Sequence, residues 1–141
     1  MITLFEPAFA KVNLTLDVLD KRDDGYHNIK SIMQTLSVRD DIEIDLGTGK
    51  PWCLKCTKEG IPLDETNLAW KAAKLFFDTV KKDPDGLEIR IIKRIPCQAG
   101  LGGGSADAAA EVADTRAFAE SAGVSEQRAS TAPANTVLIL R

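Results

Sequence analysis

A chain of 141 residues can fold as one compact domain and is too short for two ordinary ones. With 18 basic and 21 acidic residues it is slightly acidic, which argues against a general nucleic-acid binder, since that would need a basic face. No apolar run reaches the length of a membrane span, the first residues lack the pattern of a signal peptide, and three cysteines, an odd and small number, suit a reducing cytoplasm.

The first predicted strand covers residues 12–18, with Val12, Leu14, Leu16 and Val18 on one face and Asn13, Thr15 and Asp17 on the other. Lys11 shares a side with Asn13, so the two can reach one small ligand, although the pattern alone favours a solvated strand face. Lys21 to Gly25 reads as a turn. Tyr26 and His27, the single tyrosine and single histidine, follow it. Such a pair can stack on a ring and bond to its edge, or can be two strand-edge residues. Strands are expected at 27–37 and at 41–46, the second ending at Gly47-Thr48-Gly49, with residues 52–57 as its partner strand. Cys53 and Cys56 lie in that partner. Positions three apart on a strand face opposite sides, which argues against a redox pair, and the chain offers too few further ligands for a zinc site.

Residues 62–66 read as a loop, and Asn67 as the cap of a helix over 68–81. Its expected core face is Leu68, Ala72, Leu75, Phe76 and Val80. Asp83-Pro84-Asp85-Gly86 turns the chain into a strand over 87–93. After that strand comes Gly100-Leu101-Gly102-Gly103-Gly104-Ser105, and then an alanine-rich helix expected over 105–120. Strand, glycine loop and helix make a suitable plan for an anion. The backbone can come close, free N–H groups line the concavity, and the helix N-terminus adds its dipole. Ser105 can cap the helix or donate to a phosphate. Two common glycine motifs do not fit: no Gly-Lys-Ser/Thr ends the loop, and no third glycine stands where a dinucleotide fingerprint needs one. A flexible linker is the bland alternative, but it would not be wedged between strand and helix without polar spacing. Asp107 is the one carboxylate near the loop; a metal role and a simple dipole role are both open to it.

Pro96-x-x-x-Gly100-Leu101-Gly102-Gly103-Gly104-Ser105-Ala106-Asp107-Ala108-Ala109 resembles the ATP-phosphate loop of the GHMP kinases. Pro7-x-x-Ala10-Lys11-Val12-Asn13-Leu14 resembles the first motif of that superfamily. Arg22-x-Asp24-Gly25-Tyr26-His27-x-Ile29, continued through Ser31–Val38 and closed by Asp40-Asp41-Ile42, resembles its cytidine-bearing branch, the 4-diphosphocytidyl-2-C-methyl-D-erythritol kinases. The resemblance runs from about Pro7 to Ala110.

The resemblance implies an α+β fold, the N-terminal domain of a GHMP kinase, in a form found also in ribosomal and translation proteins. It implies ATP as phosphoryl donor and Mg²⁺ as its companion. The reaction implied is phosphorylation of the C2 hydroxyl of 4-diphosphocytidyl-2-C-methyl-D-erythritol in cytoplasmic isoprenoid-precursor synthesis. Lys11 would be catalytic, and Asn13, Tyr26 and His27 would hold the substrate. Asn67, Pro96, Gly100, Leu101, Gly102, Gly103, Gly104 and Ser105 would hold ATP; no metal ligand is assigned. A leucine-rich helix and a Gly-Ala-Asp-Val-Pro run bearing the proposed general base should follow, but residues 111–141 do not continue the pattern. The expectation is therefore a domain over 1–110 and a divergent tail over 111–141, truncated or frameshifted, with the C-terminal domain missing and activity impaired. Asp114 lacks the flanks of the expected base. An uncovered apolar core face would favour self-association, while neither nucleic acid nor membrane is expected as a partner. The competing readings are a nucleotide-binding module without catalysis, another GHMP small-molecule kinase, and an RNA-binding domain.

Overall fold

The computed structural model describes residues 1–110 and the backbone of residues 139–140. Two long antiparallel strands, β1 (Ile2–Lys21) and β2 (His27–Leu46), form a ribbon that runs out beyond the core. The two expected strands at 27–37 and 41–46 are thus one continuous strand. β3 (Cys53–Cys56) follows, then α1 (Leu68–Val80) and β4 (Leu87–Ile92). The sheet order is β1-β2-β4-β3, and β5 (Ile139–Leu140) pairs parallel with Met33 and Gln34 of β2. A further helix, α2, is described over residues 103–110 and begins two residues earlier than expected. The architecture is α+β, as the sequence predicts.

β3 does not pair with β2, as expected of residues 52–57, but runs parallel to β4, which lies between them. Parallel neighbours cannot be joined by a hairpin, and α1 supplies the crossover. The core lies between this helix and the sheet. Alternation on β2 and β4 sends Ile42, Ile44 and Leu46, with Leu87, Ile89 and Ile91, to one buried face. α1 covers that face with Ala69, Ala73, Phe76, Phe77 and Val80, at helical spacing. The helix is turned by about one residue from its expected face, and Leu68 and Leu75 point to solvent. The small side chains of Ala69 and Ala73 let the helix come close to the sheet, while Phe77 meets Trp52 edge-on at 5.8 Å. Asn67 caps the helix as predicted: its Oδ1 accepts from Ala69 N at 2.9 Å.

A second correction concerns β1. Leu14, Leu16 and Val18, expected on a half-buried face, are exposed, and Ala8 and Ala10 are the strand's buried positions. No described side chain packs on Leu14, Leu16 and Val18, so alternation there is not matched by burial.

The turn into β4 has little room. Lys81 ends α1 in the left-handed region, and Gly86 sits at φ +94°. A Cβ on Gly86 would stand 2.4 Å from Thr48 Oγ1 and 2.5 Å from Lys50 O. Gly25, at the ribbon tip, also has a positive φ but has nothing within 4 Å. Gly86→Ala should therefore destabilise the domain by more than the strain cost alone, about 2–4 kcal/mol, and Gly25→Ala by about 1 kcal/mol. Urea unfolding of the two variants checks the order.

Candidate phosphate-binding site

β4 ends at Ile92, and the chain bends away through Lys93, Arg94 and Ile95 before reaching Pro96 and the glycines. The carboxylate of Asp40 holds that bend: its Oδ1 accepts from Ile95 N at 2.7 Å and also from Arg94 N. The loop then turns through Gln98, Gly100 and Gly102, all at positive φ. The first helical bond runs from Ala106 N to Gly102 O at 2.9 Å, so Gly102 is the N-cap residue and Gly103, Gly104 and Ser105 form the first turn. Ser105 is thus inside the helix rather than its cap. Its N–H and those of the two glycines have no partner within the helix, which is the feature that suits a phosphate oxygen.

The first strand reaches this loop. Between Phe9 and Lys11 the register of β1 against β2 slips, and Lys11 N donates to Leu101 O at 3.1 Å. The aliphatic part of Lys11 lies against Gly102, where a Cβ would stand 3.0 Å from Lys11 Cε. Lys11 Nζ donates to Asn13 Oδ1 at 3.3 Å, and Ser31 supports the same region through a 2.7 Å bond to Thr15 O. Lys11, Asn13 and the glycine loop are therefore neighbours. A cavity of about 450 Å³ runs along the loop, lined by Pro96, residues 100–105, Asn67 and Asp107. Asn67 contributes wall rather than free polar groups, since its Nδ2 donates to Pro62 O at 2.8 Å while its Oδ1 caps α1.

Tyr26 and His27 stand elsewhere. Tyr26 is at the ribbon tip, 74% exposed, its N–H bonded to Asp24 Oδ1 in the turn. His27 pairs with Lys21, while Asn13 pairs with Met33. Along β1 the separation from Asn13 is about 26 Å of extended strand. That is an upper limit, because the register slips shorten the ribbon. The structure does not bring this pair to the loop.

Sequence reasoning missed what lies beneath the loop. Lys93 Nζ, almost wholly buried, bonds to Asp40 Oδ2 and, at 2.8 Å, to Asp107 Oδ2. All three side chains are at most 6% exposed. The signal was parity. Asp40 continues the buried phase of Ile42, Ile44 and Leu46, and Lys93 continues that of Leu87, Ile89 and Ile91. The register that pairs Asp41 with Ile92 brings the two together. Burial opposes ionisation of Asp40, but Lys93 and the Ile95 and Arg94 N–H groups outweigh it and hold its carboxyl below the ordinary value. Asp107 goes the other way: burial and the Asp40 charge outweigh Lys93 and push it up to about 6.

Cys53 and Cys56 lie on β3, and burial followed by Glu88 pushes the Cys53 thiol up, the opposite of a reactive cysteine. Asp114 and the rest of the tail lie outside the described residues.

Residues 67–132 match the family described as GHMP kinases N terminal domain, a stretch that includes the loop and extends past Ala110. A 4-diphosphocytidyl-2-C-methyl-D-erythritol kinase of Clostridium beijerinckii is 50% identical over 102 residues, 72% of this chain and 36% of that protein. One from Clostridium botulinum strain Alaska E43 is 51% identical over 104 residues, 73% of this chain and 36% of its own length. The chain thus spans about a third of the length of the curated relatives it matches. A crystal structure of 4-(cytidine 5'-diphospho)-2C-methyl-D-erythritol kinase superposes with a TM-score of 0.63 at 31% identity, covering 89% of this chain and 44% of that one. A mevalonate kinase superposes at 0.62 with 19% identity over 82% and 40% of the two chains, a likeness of fold.

Removing Lys93 would leave two buried carboxylates without a counter-charge. Lys93→Met should cost about 3–5 kcal/mol at pH 7. The deficit should shrink as pH falls toward 5, because without the ammonium both carboxyls take up protons earlier. Denaturant unfolding of parent and variant at the two pH values measures this.

Proposed function

We propose that this chain, which carries a GHMP kinase N-terminal domain, binds the phosphates of ATP on the Gly100–Ser105 loop. It would serve phosphorylation of the C2 hydroxyl of 4-diphosphocytidyl-2-C-methyl-D-erythritol, the substrate named in its curated relatives and in the solved neighbour. The observation that carries this reading is the juncture of Lys11 with the loop. A strand lysine lies over the glycine that opens a helix, its backbone bonded to Leu101. Phosphoryl transfer depends on positioning and on neutralising charge rather than on covalent help from the protein. The first-turn amides would hold phosphate oxygens, and Ser105 would donate a further hydrogen bond. Lys11, supported by Asn13, would offset the charge that develops as the hydroxyl attacks.

The cytosine would belong to Tyr26 and His27, whose exposed rings suit stacking at the far end of a long conjugate. Mg²⁺, arriving with ATP, would supply neutralising charge for the transfer. No group of three His, Cys, Asp or Glu side chains gathers to hold a metal among the described residues, and Asp107 is engaged by Lys93. Three free thiols suit a reducing, cytoplasmic setting, and the apolar side chains along the ribbon would favour self-association.

A second reading, nucleotide binding without turnover, has one observation in its favour. Among the described residues no carboxylate lies within ion-pair distance of Lys11, so none is placed there to take the hydroxyl proton. A positioned base contributes about 10²–10⁴ in rate.

Gly102→Val should weaken ATP binding at least tenfold, because the new side chain meets Lys11 Cε and sits at φ +71°. Calorimetric titration checks this, and an unchanged affinity in a folded variant would show the loop to be purely structural. With labelled ATP and 4-diphosphocytidyl-2-C-methyl-D-erythritol, turnover of this chain should lie at least a hundredfold below the ordinary kinase range of about 1–100 s⁻¹. Turnover within that range would reveal a base outside the described residues.

A further inference from the structure

Asp107 is the fifth residue of α2, one turn past the glycines, and lines the same cavity as they do. It is 4% exposed. Its two oxygens differ. Oδ2 accepts from Lys93 at 2.8 Å, whereas Oδ1 is buried and has no hydrogen-bond partner. Asp40, across the same ammonium, has both oxygens engaged, Oδ1 by the Arg94 and Ile95 N–H groups and Oδ2 by Lys93. Of the two buried acids, Asp107 alone has a free oxygen.

Two carboxylates and one ammonium leave this buried cluster with a net negative charge. The cavity above it is the one proposed to receive phosphate. Bringing a further anion there raises the cost of keeping Asp107 ionised. The charged groups around it are Lys93 from the end of β4, Asp40 from β2 and, across Gly102, Lys11 from β1. None of them can yield a free oxygen to a proton. A proton on Oδ1 would relieve that excess charge and turn an unsatisfied acceptor into an O–H, in a residue that lines the cavity.

We propose that nucleotide binding at the glycine loop loads one proton onto Asp107 Oδ1, so that the protein binds ATP and a proton together. The proton comes from solvent and leaves with the nucleotide. The inference rests on the phosphate-site reading above. Burial and the Asp40 charge already push the Asp107 carboxyl up to about 6, and a bound anion moves it higher. The linkage has a definite sign. A group whose pKa rises on binding makes the ligand bind more tightly as pH falls, by up to tenfold per unit between the free and the bound value.

The test is calorimetric titration of the whole chain with magnesium-free ATP at pH 6.5, 7.2 and 8.0, in buffers of different ionisation enthalpy. Parent and Asp107→Asn are compared, so that protons taken up by ATP itself cancel. The parent should take up more protons than the variant at pH 7.2, by a difference approaching one. Its affinity should also gain several-fold more between pH 8.0 and 6.5. Equal uptake in the two proteins overturns the inference and leaves the phosphate site standing. Absence of ATP binding at every pH overturns both. Should the variant fail to fold, carboxyl-carbon resonances of the ¹³C-aspartate-labelled parent decide the matter. One carboxyl titrating near pH 6 must move upward when ATP is added, and a titration unmoved by ATP overturns the inference.

Discussion

Everything at the loop depends on one buried lysine. Lys93 ties β2, through Asp40, to α2, through Asp107, at the point where β4 gives way to the glycines. The glycines cannot fix their own geometry, because they have no side chains to pack and are free in φ. The fixing is done below them. Asp40 fastens the bend at Arg94 and Ile95, and Lys93 fastens the first turns of the helix. A Cβ on Gly103 would stand 2.9 Å from Lys93 Nζ. Glycine there serves the packing of the ammonium beneath as much as any ligand above. Ion pairs of this kind add little net stability over apolar packing, yet they impose one geometry, since any other arrangement strands a charge.

The far face of the sheet shows the contrast. Arg90 bonds to Glu43 and Asp45 at 2.5 Å and to Glu88 at 2.7 Å, and Glu88 is held at about 2 by Lys55 and Arg90. Arg90 and Lys55 are open to water, where ion pairs are screened and contribute little each, although Asp45 is itself buried. The same residue types do different work on the two faces, and parity along β2 and β4 decides which. Even-numbered β2 residues from Asp40 to Leu46 face the core; Glu43 lies on the other side.

That parity also explains how much was legible in the sequence. The existence of α1, β4 and the loop, and the Asn67 cap, could be read because each has a local cause: helical spacing, alternation, or a side chain suited to its position. The pairing of β3 with β4 could not, since it depends on how α1 crosses the sheet. The face of α1 was misjudged because apolar residues surround the helix, and contact with Trp52 selects Phe77 over Leu75. At the site, Lys11, Asn13 and the glycines were read from motif resemblance and meet in space. Lys93 and Asp40 are visible as residues, but a charged side chain continuing an apolar phase reads as a strand end. The phase itself carries the signal: a buried Asp requires a buried partner.

The bond from Lys11 N to Leu101 O joins the start of the chain to a segment made much later. At a synthesis rate of about 5–20 residues per second, the loop follows its strand by roughly 5–18 s. During that interval β1 and β2 can close as a hairpin, because their contacts are sequential. The nucleotide site cannot form, since Lys11 and Asp40 must wait for partners made long after them, and contacts of such high order are slow to close. A nascent chain would thus display the apolar side chains of its ribbon before it has any site to show. The interval is one in which a holding chaperone, or a second nascent chain on the same message, would find β1 and β2 already paired and β4 not yet made.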